Sequence, residues 1–171
     1  MTKISSQARD NTPRKKHPLS RFFEFKGINR LSLGQYRTRI RSLYDGPAGA
    51  VLALGSMISL HEPLVGHLLR SRKFDVTEHE IILDVGSGAG QILRHLLRGT
   101  QSSAQLVAFD LSHQMLRRAR KKLKSHRPAY VAGDMMRMPF KDGSFDCVTC
   151  GWVIEHLPDP RPGLREVGRV L

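Results

Sequence analysis

A glycine-rich turn beside an acidic residue is the part of this sequence most able to do chemistry. An apolar run over residues 81–85 leads into Gly86-Ser87-Gly88-Ala89-Gly90. Glycines at such a turn leave backbone N–H groups unobstructed, so we expect them to face an anion or a cofactor. Asp84 precedes the first glycine by two positions, and a carboxylate there suits a cationic amine better than a diphosphate.

Two more acidic residues follow later apolar runs. Asp110 closes a run 24 residues after Gly86, where a carboxylate accepts hydrogen bonds from ribose hydroxyls. The dipole of a helix starting at Ser112 would also favour Asp110 without any ligand. Asp134 follows a third run. Dinucleotide sites share the first two features, but their third glycine comes one residue later than Gly90. The series of three acids favours a different nucleoside cofactor.

The elements that carry these residues alternate between strands and helices. We predict strands at 81–85, 106–110, 129–132 and 145–150, with helices from about 91 to 98, from Ser112 to about 125, and after Pro160. This order predicts an α/β fold, a Rossmann-like doubly wound parallel sheet. The pattern stops after the fourth strand and one helix, so we expect a sheet that is incomplete at its C-terminus, as in a fragment or a reduced form.

Charge and composition divide the chain into three segments. We expect residues 1–42 to form a basic, partly disordered segment, residues 43–78 a helical cap or lead-in, and residues 79–171 the incomplete domain. The net charge is +13, and residues 1–42 hold eleven Lys or Arg against two acids. Such a segment is either a solvated tail or a contact for RNA or an anionic membrane. The basic run from Arg117 to Arg127 leaves the same alternatives open.

The sequence predicts neither a membrane span nor a metal site. The longest uncharged stretch, residues 46–60, is shorter than the roughly 20 residues that a spanning helix needs. The chain has only two cysteines and the sequence shows no signal-peptide pattern, so we expect a cytoplasmic protein, with peripheral membrane association as an option. Cys147 and Cys150 are three apart on a predicted strand, so their side chains should point to opposite faces and should not share a metal.

Residues 79–171 resemble the class I S-adenosylmethionine-dependent methyltransferases, especially the branch of ubiquinone and menaquinone C-methyltransferases. The resemblance rests on the glycine turn with the strand before it, and on three later motifs. These are Phe109-Asp110-Leu111-Ser112-His113-Gln114-Met115-Leu116, Gly133-Asp134-Met135-Met136-Arg137-Met138-Pro139-Phe140, and Glu155-His156-Leu157-Pro158-Asp159-Pro160. The N-terminal 78 residues match only loosely, in the region where the family places a variable acceptor-binding cap.

The resemblance implies a set of site residues and a function. The turn from Asp84 to Gly90 would hold the methionine part of S-adenosylmethionine, Asp110 with Leu111 the ribose, Asp134 with Met135 the adenine, and Cys150 would line the floor beneath the sulfonium. The methyl acceptor would be a small or lipid-like, quinone-like molecule.

Glu155 and His156 follow the fourth strand, near the expected acceptor. Either residue could assist proton removal or orient a substrate, and either could be an ordinary polar residue at a helix start. Two other functions stay open. The chain could methylate RNA or protein with help from its basic tail, or it could be a truncated, non-catalytic module that binds the cofactor.

Overall fold

Four parallel strands form the centre of the fold. The computed structural model describes residues 31–58, 61–70, 75–125 and 128–171. In chain order its elements are α1 (Leu33–Asp45), α2 (Pro47–Ile58), α3 (His61–Arg70), β1 (Ile81–Val85), α4 (Gln91–Gly99), β2 (Gln105–Asp110), α5 (His113–Leu123), β3 (Ala129–Ala132), β4 (Cys147–Cys150), a short 3₁₀ helix (Ile154–His156) and α6 (Arg161–Val170). The predicted disorder of the first residues lies outside the described ranges.

The strand order is β3-β2-β1-β4, and all three pairings are parallel. In this register Asp84 lies between Ala108 of β2 and Thr149 of β4. Parallel strands end at one edge of a sheet, so the residues that follow β1, β2 and β4 are brought together. The predicted Rossmann-like parallel sheet is confirmed.

Side chains of β1 alternate between two hydrophobic cores. Leu83 and Val85 pack in the core that contains Tyr36 and Ile40 of α1 and Val170 of α6, a set of buried residues on one face of the sheet. Ile82 packs in the other core, with Leu93, Leu96 and Leu116 from α4 and α5. Strand alternation therefore determines which helices cover which face.

The two cysteines of β4 follow the same alternation. Cys147 contacts the core beneath α4 and α5, and Cys150 contacts the core beneath α1 and α6. The prediction that their side chains point to opposite faces is confirmed. Both thiols are free.

Helix α1 is more regular than the lead-in predicted from the sequence. Ser32 and Gln35 form a capping box, in which each side chain accepts a hydrogen bond from the other residue's backbone N–H. The buried Tyr36 and Ile40 then fix one side of the helix against the sheet. Helix α1 consequently runs across residue 42, the boundary drawn from the charge distribution.

Strand β4 is shorter than predicted, because the chain before it bonds to α6. The N–H of Gly143 donates to the carbonyl of Arg169, and the N–H of Phe145 donates to the carbonyl of Val170. The predicted start of the strand at residue 145 is wrong, and the strand begins at Cys147. Within the described residues, no helix combines the length and apolarity needed to cross a bilayer.

Candidate functional site

The N–H groups of the glycine turn bond mainly within the protein. Gly86 and Ser87 both donate to the carbonyl of Phe109, at 2.7 and 3.1 Å, and Gly90 donates to the carbonyl of Ser87. Gly88 donates to Oδ2 of Asp110 at 2.8 Å. The expectation that these four N–H groups face a ligand is therefore wrong, because the end of β2 lies close enough to accept three of them.

What the turn offers instead is an acceptor. Asp84 is buried, and Oδ1 accepts a hydrogen bond from the Thr149 hydroxyl at 2.8 Å. Among the described residues, its Oδ2 and the hydroxyl of Ser87 are buried without a hydrogen-bond partner. A buried polar atom without a partner is costly, so these two oxygens suit a ligand that donates hydrogen bonds.

Burial also sets the charge of Asp84. It raises the pKa of this carboxyl to about 6, and the nearby negative charge of Asp110 acts in the same direction, while the neighbouring hydroxyls of Ser87 and Thr149 and the backbone of Leu93 oppose the shift. The carboxylate is thus ionised at neutral pH at an energetic cost. A cationic donor beside Oδ2 would relieve that cost.

Gly86 allows the loop after β4 to approach the turn. A methyl group at Gly86 would lie 1.8 Å from Cγ2 of Val153, and the residue has a φ of 68°. The chain reaches this position through Trp152, whose φ of 57° is strained for a bulky side chain. Val153 therefore fills the space above the first glycine, and this contact positions the 3₁₀ helix that carries Glu155 and His156.

Asp110 closes the site on the β2 side. Its Oδ2 accepts from Gly88, and its Oδ1 accepts from the N–H of Ser112 at 2.8 Å. Burial raises the pKa of this carboxyl, while the two backbone hydrogen bonds lower it. Each carboxylate oxygen has two acceptor positions, so one remains on each for a hydroxyl donor.

Helix α1 contributes two polar contacts to the same edge of the sheet. Nε of Arg37 donates to Oδ2 of Asp134 at 2.5 Å, and the N–H of Met136 donates to Oδ1. Asp45 accepts from the Ser112 hydroxyl at 2.5 Å, at the start of α5. Two of the predicted cofactor-binding loops are thus attached to α1.

The remaining predicted cofactor residues are largely packed. The Met135 side chain is buried, and its Cε lies 2.8 Å from the position of a Cβ on Gly163, so it fills the core. Leu111 and Cys150 are partly buried against the same core. Burial raises the pKa of Cys150 to about 11, with Asp84 and Glu155 adding to the shift. Its thiol therefore stays neutral.

His156 of the 3₁₀ helix and Tyr44 of α1 form a pair. The Tyr44 hydroxyl lies 3.4 Å from Nε2 of His156, and the two rings meet edge to face. Burial lowers the pKa of His156, with Glu155 opposing the shift, so the imidazole is neutral at neutral pH. Burial and the charges of Asp110 and Glu155 raise the pKa of Tyr44 to about 12, so its hydroxyl keeps its proton. Glu155 itself is exposed.

Three contributors were missed from the sequence: Arg37, Tyr44 and Thr149. Their partners are 97, 112 and 65 residues away along the chain. The capping box of α1 was the one local signal that could have predicted a helix at this point.

The chain belongs to the methyltransferase domain family, whose model matches residues 83–171. Demethylmenaquinone methyltransferase of Mycolicibacterium gilvum is 31% identical over 84% of this chain and 60% of its own length. Demethylmenaquinone methyltransferase of Lactiplantibacillus plantarum is 28% identical over 80% and 60%. The fold matches a SAM-dependent methyltransferase structure from Aquifex aeolicus with a TM-score of 0.57, at 24% identity, over 78% of this chain and 66% of that one.

The chain is thus similar in sequence to quinone methyltransferases and in fold to a SAM-dependent methyltransferase. It spans about 60% of the length of these two curated relatives. The residues at the turn fit the family's cofactor. The unpartnered Oδ2 of Asp84 suits the ammonium group of its methionine part, and the remaining acceptor positions of Asp110 suit ribose hydroxyls.

Proposed function

We propose that this protein binds S-adenosylmethionine and transfers its methyl group to a small, lipid-like acceptor of the quinone class. The observation that carries the proposal is the buried Oδ2 of Asp84, which has no protein partner beside the glycine turn. A diphosphate would be repelled there by Asp84 and Asp110 together. A ligand with an ammonium group and a ribose satisfies both carboxylates.

Cofactor binding would use one residue at each of three strand ends. Asp84 would accept from the ammonium, Asp110 from the ribose, and Asp134 from the adenine amino group. Arg37 and the N–H of Met136 hold the Asp134 carboxylate from two sides, so its orientation is fixed before a ligand arrives. Prior orientation of this kind lowers the entropy lost on binding.

When bound, the cofactor supplies an electrophilic methyl group on its sulfonium. The protein then has to align the acceptor and take up the proton that the acceptor loses. Neutral His156 can accept that proton, and Tyr44 orients the ring through its hydroxyl. Glu155 is next to His156 and would stabilise the imidazolium that forms.

The acceptor class is supported by the relatives and by the residues near His156. Besides the two demethylmenaquinone methyltransferases, a 2-phytyl-1,4-naphtoquinone methyltransferase of Nostoc is 26% identical over 78% of this chain. Tyr44 places a partly buried aromatic ring beside His156, on the side of α1 that faces the sheet. Aromatic rings of this kind can stack on a planar acceptor.

Two measurements test the proposal. Isothermal titration calorimetry should detect S-adenosylmethionine binding and no NAD binding, and Asp110→Ala should weaken the former by about 100-fold. Methyl transfer to a reduced naphthoquinone should then be followed with labelled cofactor. Binding of NAD alone would overturn the cofactor assignment. Cofactor binding with transfer only to RNA or protein, or with no transfer to any acceptor class, would overturn the proposed acceptor.

A further inference from the structure

The segment that contains α4 and α5 is rich in basic residues and has almost no acidic ones. Between Gly86 and Gly133 the sequence has nine Lys or Arg and a single acid, Asp110. That acid lies at the end of β2 and accepts from the backbone of Gly88 and Ser112. Neither α4 nor α5 therefore has an acidic side chain to pair with its basic residues.

Four basic residues of α5 and its C-cap form an exposed stripe, which we call the α5 stripe. Its members are Arg117, Arg120, Lys121 and Lys124. Their spacing of three and four residues places them along one side of the helix. Like charges at this spacing repel, and an anionic partner removes the repulsion.

Two other basic residues of α5 are turned away from the stripe. Arg118 donates to the carbonyls of Tyr44 and Gly46, so it attaches α5 to the N-terminal helices. Burial lowers the pKa of Lys122, and the positive charge of Arg94 on α4 adds to the shift. Basic residues of α4 and α5 are therefore close enough to repel one another.

Exposed aliphatic side chains lie on the helix next to α4. Leu64 is 51% exposed and Leu68 is 39% exposed, one turn apart on α3, which packs against α4. Val51 of α2 is 70% exposed. RNA phosphates gain nothing from aliphatic contacts, whereas the interface of an anionic bilayer attracts basic residues and accepts aliphatic ones.

We propose that the α5 stripe, together with the exposed Leu64 and Leu68 of α3, binds the surface of a bilayer containing anionic phospholipids. The basic residues contact lipid phosphates, and the leucines enter the boundary between headgroups and acyl chains.

Sedimentation of the full chain with vesicles tests this surface. The chain should bind phosphatidylcholine vesicles that contain phosphatidylglycerol, and it should not bind phosphatidylcholine alone. The triple variant Arg117→Gln, Arg120→Gln, Lys121→Gln should weaken binding by about 100-fold, since each basic residue near an anionic surface contributes about fivefold. Gln keeps the helix propensity close to that of Arg and Lys.

Two matched variants separate the α5 stripe from total charge and from the N-terminal segment. Arg39→Gln, Lys141→Gln, Arg165→Gln removes the same charge elsewhere on the surface and should change binding less than about threefold. In the variant Arg14→Gln, Lys15→Gln, Lys16→Gln, the α5 substitutions should still weaken vesicle binding by most of the factor seen in the wild type. The double variant Leu64→Ser, Leu68→Ser should weaken vesicle binding by roughly tenfold, and this loss should persist at high salt because it is apolar in origin.

Three outcomes would overturn the proposal: equal binding by the triple variant and the wild type, complete loss of binding in the N-terminal variant alone, or binding to an RNA oligonucleotide without binding to anionic vesicles. Vesicle binding is measured without cofactor or acceptor, so its failure would leave the proposed methyl transfer untouched.

Discussion

The glycine turn and helix α1 contribute to the same site in opposite ways. The turn is local: Asp84 to Gly90 are contiguous, and three of its N–H groups donate to the adjoining end of β2. Helix α1 is remote in sequence, and it reaches the site through single side chains such as Arg37 and Tyr44. The proposed cofactor side thus comes mainly from the ends of β1, β2 and β3, while the proposed acceptor side is assembled from α1 and the 3₁₀ helix, which are far apart in the sequence.

His156→Ala tests the acceptor side with the largest expected effect. Loss of the proposed base should lower kcat by about 100- to 1,000-fold, because general-base catalysis contributes on that scale. The dissociation constant of S-adenosylmethionine should stay unchanged in calorimetry. His113→Ala, at an exposed position of α5, is the control. An unchanged kcat would remove His156 from the mechanism.

Asp84→Asn tests the cofactor side. Removing the charge beside the ammonium should weaken S-adenosylmethionine binding by about 100-fold. The same variant should raise the free energy of unfolding at pH 7, on the order of 2 kcal/mol, because the ionised carboxylate is buried at a cost. Calorimetry and urea unfolding measure the two effects. A variant that lost both affinity and stability would contradict this account of Asp84.

The pH dependence of cofactor affinity should report the same carboxyl. A folded-state pKa raised to about 6 means that Asp84 becomes protonated as the pH falls through 6. The affinity of the wild type should then fall by up to about tenfold per pH unit below 6. In apo protein the sign for stability is opposite: unfolding free energy is greatest below the unfolded pKa and falls as the pH rises from about 4 to 6. Asp84→Asn should remove the pH dependence of both the cofactor affinity and the free energy of unfolding in this range. If either pH dependence is unchanged in the variant, another group causes it.

Tyr44→Phe tests whether α1 contributes to the proposed acceptor side through the Tyr44 hydroxyl. Loss of the hydroxyl should reduce kcat by about tenfold, since it removes one hydrogen bond to the ring of His156. The apparent pKa in the kcat profile should also shift, which loss of packing alone would not cause. A reduced kcat with an unmoved pH profile would limit Tyr44 to a structural role.

Arg37→Gln should have the smallest effect. The Arg37 side chain is 39% exposed and that of Asp134 is 13% exposed, so solvent screens the ion pair. We expect S-adenosylmethionine affinity to fall by roughly threefold as Asp134 loses one of its two donors. Calorimetry with Arg41→Gln as control measures the change. Tighter binding would show instead that Arg37 competes with adenine for Asp134.

Local patterns explain most of what the sequence predicted correctly. Strand β1, the turn and the helix after it follow from an apolar run, glycines and a helical stripe, all within about 20 residues. Ser112 was predicted as the N-cap of α5, and its hydroxyl accepts from the N–H of Met115. These features need no information about distant segments.

The errors arise where distant segments meet. The free N–H groups expected at Gly86 and Gly88 are occupied because β2 ends beside them. The strand was expected to begin at residue 145, but the N–H of Phe145 donates to the carbonyl of Val170 in α6 instead of to a neighbouring strand. Nothing in the sequence distinguished Arg118 from the other basic residues of α5. It differs from them because it donates to the carbonyls of Tyr44 and Gly46, which are distant in sequence.

The contact between Gly86 and Val153 affects how substitutions at this site in related sequences should be interpreted. A side chain at Gly86 would collide with the loop after β4, so the fold needs that glycine whether or not a ligand is bound. Asp84 is the reverse case, because its ionised form lowers stability. We expect a lineage without the proposed methyl transfer to keep Gly86 and to replace Asp84. The acid, more than the glycine, therefore marks which copies remain under selection for the reaction.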